Sequence, residues 1–222
     1  MTPLGWVLLG VAAVAAVIDW WTVWAESPRA RLAERVAKPL VLVALLGVAA
    51  VSAPATPSIE PWLLLALAGS LAGDVLLLPP GRLVPGLVAF LLGHVAYIVA
   101  FWQLPGSAAL LLLGVLGALL VIAGVGRTLV RAAARGGMGA PVAAYLGVIS
   151  MMAIAATRTG ILAAVLGAWL FVASASMLGW GEFVVGQMAD GRSRAGPRLR
   201  LGVITTYHAA QVLLVLVLLL GS

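Results

Sequence analysis

Eight apolar runs, each about as long as a membrane helix, follow one another along the chain with only short polar breaks between them. A hydrocarbon core of roughly 30 Å is crossed by about 20 apolar residues in a helix. Read against charges, glycines and prolines, the runs fall at about 4–24, 36–53, 61–79, 83–102, 106–126, 139–157, 160–181 and 200–221. In lipid every backbone N–H and C=O has to be satisfied within its own segment, so single runs of this length fold as helices. A soluble protein with a large core is excluded by composition. Of 222 residues, 64% are hydrophobic and 9% charged, whereas soluble domains carry roughly 25% charged residues. The expectation is an all-α polytopic helix bundle of about eight transmembrane helices, with residues 1–222 as one transmembrane domain.

The breaks support that count. Pro54, Pro57, Pro61, Pro79, Pro80, Pro105 and Pro141 fall at or near the proposed ends, where a missing N–H costs least. The second run is the shortest and spans only if Lys38 extends its ammonium to the interface. The first run has no basic residues before it and ends in Asp19-Trp20-Trp21 in place of a small-residue cleavage site. It reads as a retained helix with tryptophans at an interface. The absence of cysteine excludes disulfides and thiolate-bound metals.

Twelve of the thirteen basic residues fall after runs one, three, five and seven: Arg29, Arg31, Arg35 and Lys38, then Arg82, then Arg127, Arg131 and Arg135, and finally Arg192, Arg194, Arg198 and Arg200. Arg158 alone falls on the other side. Positive charge marks the cytoplasmic side, so both termini are expected outside the cytoplasm. The net charge of +6 is used up in these short clusters, which leaves no basic face for nucleic acid. Arginine outnumbers lysine twelve to one. With abundant Ala, Gly and Val, that fits a GC-rich bacterial genome and a bacterial inner membrane.

Polar groups inside spans are expensive, so each needs a reason. Asp74 lies in the third run after Gly69-Ser70-Leu71-Ala72-Gly73, roughly 7–8 Å from the cytoplasmic end at 1.5 Å per residue. Gly69 and Gly73 are spaced for close helix packing. Asp19 reads as a boundary residue or a partner of Lys38. His94 and Tyr97 are one turn apart in the fourth run and are expected to form a hydrogen-bonding pair, zinc being disfavoured with two histidines in the chain. Tyr207 and Gln211 share a face of the eighth helix, as part of a polar pocket or as an interhelical clamp. Asp74, Tyr145, Ser174, Ser176, Tyr207, Gln211 and Lys38 all fall in the cytoplasmic half. Polar groups from five or more helices at one level suggest a wet cavity open to that side. No Gly-Xaa-Ser-Xaa-Gly elbow, phosphate loop or HExxH motif occurs, so a serine hydrolase or a nucleotide-driven transporter has no support.

Lys38-Pro39-Leu40, Ser70 through Asp74, the Gly-His-Xaa-Xaa-Tyr core within Phe90–Phe101, Tyr145, Leu170 through Ser174, and Tyr207 with Gln211 occur in order from the second run to the eighth. Together they resemble the lysoplasmalogenase family, the YhhN-like membrane proteins. The resemblance implies cleavage of the vinyl ether bond of lysoplasmalogens to a fatty aldehyde and a glycerophospho-alcohol, with no cofactor and no metal. It implies two catalytic aspartates. The first is Asp74. The second belongs in a Ser-Asp pair where this chain has Ser174-Ala175. Lys38, His94, Tyr97, Tyr145, Ser174, Tyr207 and Gln211 would bind substrate, with Lys38 at headgroup depth for the phosphate. Vinyl ether cleavage needs an acid to protonate the β-carbon and a carboxylate to steady the oxocarbenium ion and activate water. Ala175 supplies neither, which leaves three readings: lost activity, another group in its place, or a replacement introduced into an active enzyme. The alternatives to an enzyme are a non-catalytic lipid-binding or lipid-sensing protein on the same scaffold, and a small-solute transporter using Asp74 and His94 as proton relays. Visible repeat symmetry, common in transporters, is missing.

Overall fold

A computed structural model describes residues 1–25, 27–79, 81–186 and 194–220. Pro80, Arg192 and residue 221 of the last apolar run lie outside the described residues. The first helix, α1 (Pro3–Thr22), starts where Thr2 Oγ1 accepts from the Gly5 N–H at 3.1 Å, with Pro3 in a turn that has no use for its missing donor. Ser27 caps α2 (Pro28–Val51) in the same way, accepting from the Ala30 N–H at 3.1 Å. A 3₁₀ turn, Pro57–Ile59, leads into α3 (Glu60–Leu77), and α4 spans Leu83–Trp102. Next, α5 (Ala108–Val121) runs through a π turn, Ile122–Gly126, into α6 (Arg127–Ala134) as one continuous rod. The rest are α7 (Gly139–Arg158), α8 (Leu162–Gly179) with a π turn Trp180–Val185 at its end, and α9 (Pro197–Leu220).

The chain is thus an all-helical, multi-pass membrane bundle, with no strand among the described residues. Seven helices there are long and apolar enough to cross a bilayer. The remaining rod, α2, has the length but carries Arg29, Arg31, Glu34, Arg35 and Lys38 in its first half. Two boundaries differ from the hydropathy reading. Helix α2 begins at Pro28 and not at 36, so Pro39 is interior and leaves the Arg35 carbonyl without a helical donor. The fifth rod does not stop at 126, and its last turns, with Arg127 and Arg131 exposed, bury Leu129 and Ala133 against Val142 and Leu146 of α7. Both extensions carry good helix formers beyond the limits of the apolar run, before it in α2 and after it in the fifth rod.

Neighbour contacts close a ring in the order α1, α2, α3, α4, α7, α8, α9 and back to α1. Helix α5 lies outside the ring against α7, with Gly114 and Ala118 buried and Leu112, Leu113, Leu116, Leu119 and Leu120 exposed where lipid would be. The tightest crossing is α3 on α4. A Cβ placed on Gly69 would stand 2.8 Å from the Gly93 Cα, and one on Gly93 would stand 2.9 Å from the Ala66 carbonyl oxygen. Glycine alone permits that approach.

Both termini lie at one end of the bundle. The Ala55 N–H donates to the Leu219 carbonyl at 3.1 Å, and the position of a Cβ on Gly5 is 2.7 Å from Ser52 Oγ. Arg158 shares that end, donating to the Phe101 and Leu104 carbonyls at 3.1 and 2.7 Å and lying over the Trp102 ring. All other described arginines, and Lys38, belong to the opposite end, where α2, α4, α7 and α9 begin and α6 ends.

Candidate active site

A cavity of about 200 Å³ opens at the basic end of the ring. Its mouth is the α3–α4 connection, with Pro79, Gly81 and Arg82, faced by Glu182. Gly81 takes φ of 79°, a turn that costs a side-chain-bearing residue strain. Further in, Leu83, Leu87, Leu178, Val203 and Ile204 make apolar walls, and Lys38, Asp74, Tyr145, Ser174 and Tyr207 bring polar atoms from five helices.

Asp74 is the centre of this group. It is 1% exposed, held there because Gly73 before it lets the Phe90 ring of α4 lie directly on α3. The Tyr207 hydroxyl donates to Asp74 Oδ2 at 2.8 Å, and Lys38 Nζ stands 3.8 Å from Oδ1. One carboxylate oxygen therefore meets α9 and the other meets α2. Behind them, Phe90, His94, Phe171 and Tyr207 pack edge to face, with ring centroids 4.5 to 6.4 Å apart. Such edge-on aromatic contacts are favourable, and the carboxyl sits at the boundary between the polar atoms of the cavity and this aromatic block. Ser174 Oγ donates to the Val203 carbonyl at 2.8 Å, which ties α8 to α9 along the wall. Ala175 also lines the cavity, leaving methyl surface where a longer side chain would point at the same space as Asp74.

The residues of interest from the sequence divide into two groups. Lys38, Asp74, Tyr145, Ser174, Ala175 and Tyr207 line the cavity. His94, Tyr97, Ser176 and Gln211 do not. His94 and Tyr97 do not bond to each other: His94 Nδ1–H donates to the Phe90 carbonyl and Tyr97 donates to Gln211 Oε1 at 2.7 Å. Phe90 lies one helical turn before His94, so the imidazole turns back on its own helix and not towards Tyr97. Tyr207 and Gln211 share a face yet do different jobs, the first in the cavity and the second clamping α9 to α4. Asp19 lies in the last turn of α1, at the basic end of the bundle. It is 2% exposed and faces His208 of α9, with Oδ2 3.8 Å from Nε2. Sequence reading passed over Arg82 as a site residue, and His208, because neither shows at that level which helix it faces.

The YhhN family profile matches residues 33–218, which is all of the ring except α1, the start of α2 and the last two residues of α9. The chain belongs to the YhhN family. A curated relative, "Lysoplasmalogenase TMEM86B" of Homo sapiens, is 34% identical over 152 residues, covering 68% of this chain and 60% of the relative. The chain thus spans about 60% of the length of the curated relative it matches. No solved structure matches. Every polar residue of the cavity falls inside the segment that matches the YhhN family, and Asp19 and Trp20 fall outside it.

Proposed function

We propose that this YhhN-family chain is a membrane ether hydrolase acting on the vinyl ether bond of lysoplasmalogens. The observation that carries the reading is Asp74: a buried carboxyl, hydrogen-bonded by Tyr207, at the inner wall of a cavity whose other walls suit a hydrocarbon chain. Similarity to a protein named a lysoplasmalogenase supports it.

In this reading Asp74 gives its carboxyl proton to the β-carbon of the vinyl ether. The double-bond electron pair forms the new C–H bond, and the oxygen lone pair stabilises the oxocarbenium ion. Water adds to the α-carbon and loses a proton, and the hemiacetal collapses to a fatty aldehyde and the glycerophospho-alcohol. Tyr207 holds the carboxyl in place, and Lys38 with Arg82 at the mouth meets the phosphate as charged donors. A second carboxylate would take the proton from water, and position 175, on the cavity wall, is where it belongs in this reading. With alanine there, the chain is expected to be slow. Ala175→Asp should raise aldehyde release from lysoplasmalogen at least about a hundredfold, the low end for a general acid–base group. The assay runs the purified chain and its Ala175→Asp variant with lysoplasmalogen and acyl lysophosphatidylcholine in parallel. Equal rates for the two forms would sink the paired-carboxylate reading.

One observation favours a second reading. Among the described residues the cavity has a single aspartate, and it keeps its apolar walls, as a lipid-binding or lipid-sensing protein would. Binding of lysolipid by both forms with hydrolysis by neither would select it.

A further inference from the structure

At Ala175 the cavity wall offers only a methyl group, so what the cavity can do with a cation depends on its other polar atoms. Asp74, 1% exposed, accepts from the Tyr207 hydroxyl at Oδ2 over 2.8 Å, which leaves Oδ1 to carry the acid proton. Lys38 Nζ stands 3.8 Å from Oδ1, beyond the roughly 2.7–2.9 Å of an ammonium–carboxylate hydrogen bond. It faces the charge that forms once the proton has gone. None of the other described lining groups is placed to take a proton from water beside position 175. Lys38 has donors only. Ser174 Oγ donates to the Val203 carbonyl at 2.8 Å, and the Tyr207 hydroxyl is taken by Asp74. Tyr145 adds a phenol hydroxyl, a poor base while it keeps its proton. Glu182, the other described carboxyl on the wall, comes seven residues after Ala175, roughly 10 Å further along the rod at 1.5 Å per residue, at the mouth. The imidazoles of His94 and His208 do not line the cavity. The base within reach of the cation is therefore Asp74 itself, after it has given up its proton.

We propose that this chain, with alanine at 175, is a cyclase: it turns a lysoplasmalogen into the isomeric cyclic acetal, with the substrate's own free sn-2 hydroxyl taking the place of water. The proposal rests on the reading of Asp74 as the acid that protonates the vinyl ether. Asp74 Oδ1 gives its proton to the β-carbon, the new C–H bond takes the double-bond electron pair, and the ether oxygen shares a lone pair with the α-carbon. The hydroxyl oxygen on the neighbouring glycerol carbon then bonds to the α-carbon and closes a five-membered ring. Its proton returns to the Asp74 carboxylate, which restores the acid with no water consumed and nothing released. A tethered nucleophile acts at effective molarities of roughly 10⁵–10⁸ M when well oriented, so it needs no second carboxylate. Water does need one. The residue at 175 thus selects between ring and aldehyde.

The test incubates the chain as it stands with lysoplasmalogen in detergent, in D₂O and separately in H₂¹⁸O, and separates the products by chromatography with mass detection. The expected product is an isomer of the substrate that has lost its vinyl protons, with one deuterium next to the acetal carbon and no ¹⁸O. It should exceed aldehyde at least about tenfold, and the same lipid in protein-free acid sets the baseline ratio. Asp74→Asn should lower isomer formation at least about a hundredfold. Ala175→Asp should turn the product to aldehyde, with Ala175→Glu in its place should that variant not fold. Aldehyde as the main product of the chain as it stands overturns the cyclisation. So does an isomer-to-aldehyde ratio no higher than in protein-free acid, or undiminished isomer with Asp74→Asn. No product from the chain as it stands, with aldehyde from Ala175→Asp, also overturns it and leaves the hydrolase reading intact. No product from either form ends both.

Discussion

Two buried tyrosine hydroxyls illustrate how much depends on single atoms. Tyr207 donates to Asp74 and Tyr97 to Gln211, at 2.8 and 2.7 Å. Removing either hydroxyl strands an acceptor in the protein interior, which costs about 1–3 kcal/mol. The consequences should part company. Tyr97→Phe removes the donor to Gln211 Oε1 and should lower thermal stability in detergent with little change in turnover. Tyr207→Phe frees the carboxyl and should lower turnover about tenfold or more while KM stays within about threefold. Equal effects of the two changes on turnover would contradict the separate roles. At this scale the sequence was informative about which residues were out of place and silent about partners. Asp74, Lys38 and Tyr207 stand out as polar groups in apolar runs. That His208 faces Asp19, and that His94 turns back on Phe90, depends on helix rotation, which hydropathy does not encode.

Among the elements, the α3–α4 crossing places the site. Gly69 meets Gly93 backbone to backbone and Gly73 meets the Phe90 ring, so the depth of Asp74 beneath Phe90 depends on side chains that are missing. Gly93→Val should force the helices apart, cost about 1–3 kcal/mol as overpacking does, and reduce hydrolysis in the Ala175→Asp form. Gly10, where a Cβ would meet nothing within 4 Å, is the control, and Gly10→Ala should leave both properties unchanged. Thermal unfolding of the two variants in detergent separates them, and equal stability would mean that the crossing is looser than described. The spacing of Gly69 and Gly73 pointed at close packing, and the structure supplies the partners. Span positions were legible because lipid demands length and apolarity. Helix ends were less so, since hydropathy marks where lipid begins, and α2 and α6 continue as amphipathic helices into the basic end.

For the whole molecule, the ring puts the two termini together, with Arg158 near them and the rest of the described basic residues at the far end. Basic residues favour the cytoplasmic side, so both termini are expected outside the cytoplasm and the cavity is expected to open towards it. An alkaline phosphatase fusion at Ser222 should be active and a green fluorescent fusion dark, and the reverse pattern would turn the molecule over. The central claim, that Asp74 protonates the β-carbon, is tested by running the Ala175→Asp form in D₂O. The account predicts a fatty aldehyde carrying one deuterium on the carbon next to the carbonyl, and a loss of at least about a hundredfold in rate for Asp74→Asn. Undiminished hydrolysis by Asp74→Asn, or aldehyde without deuterium at that carbon, would contradict it.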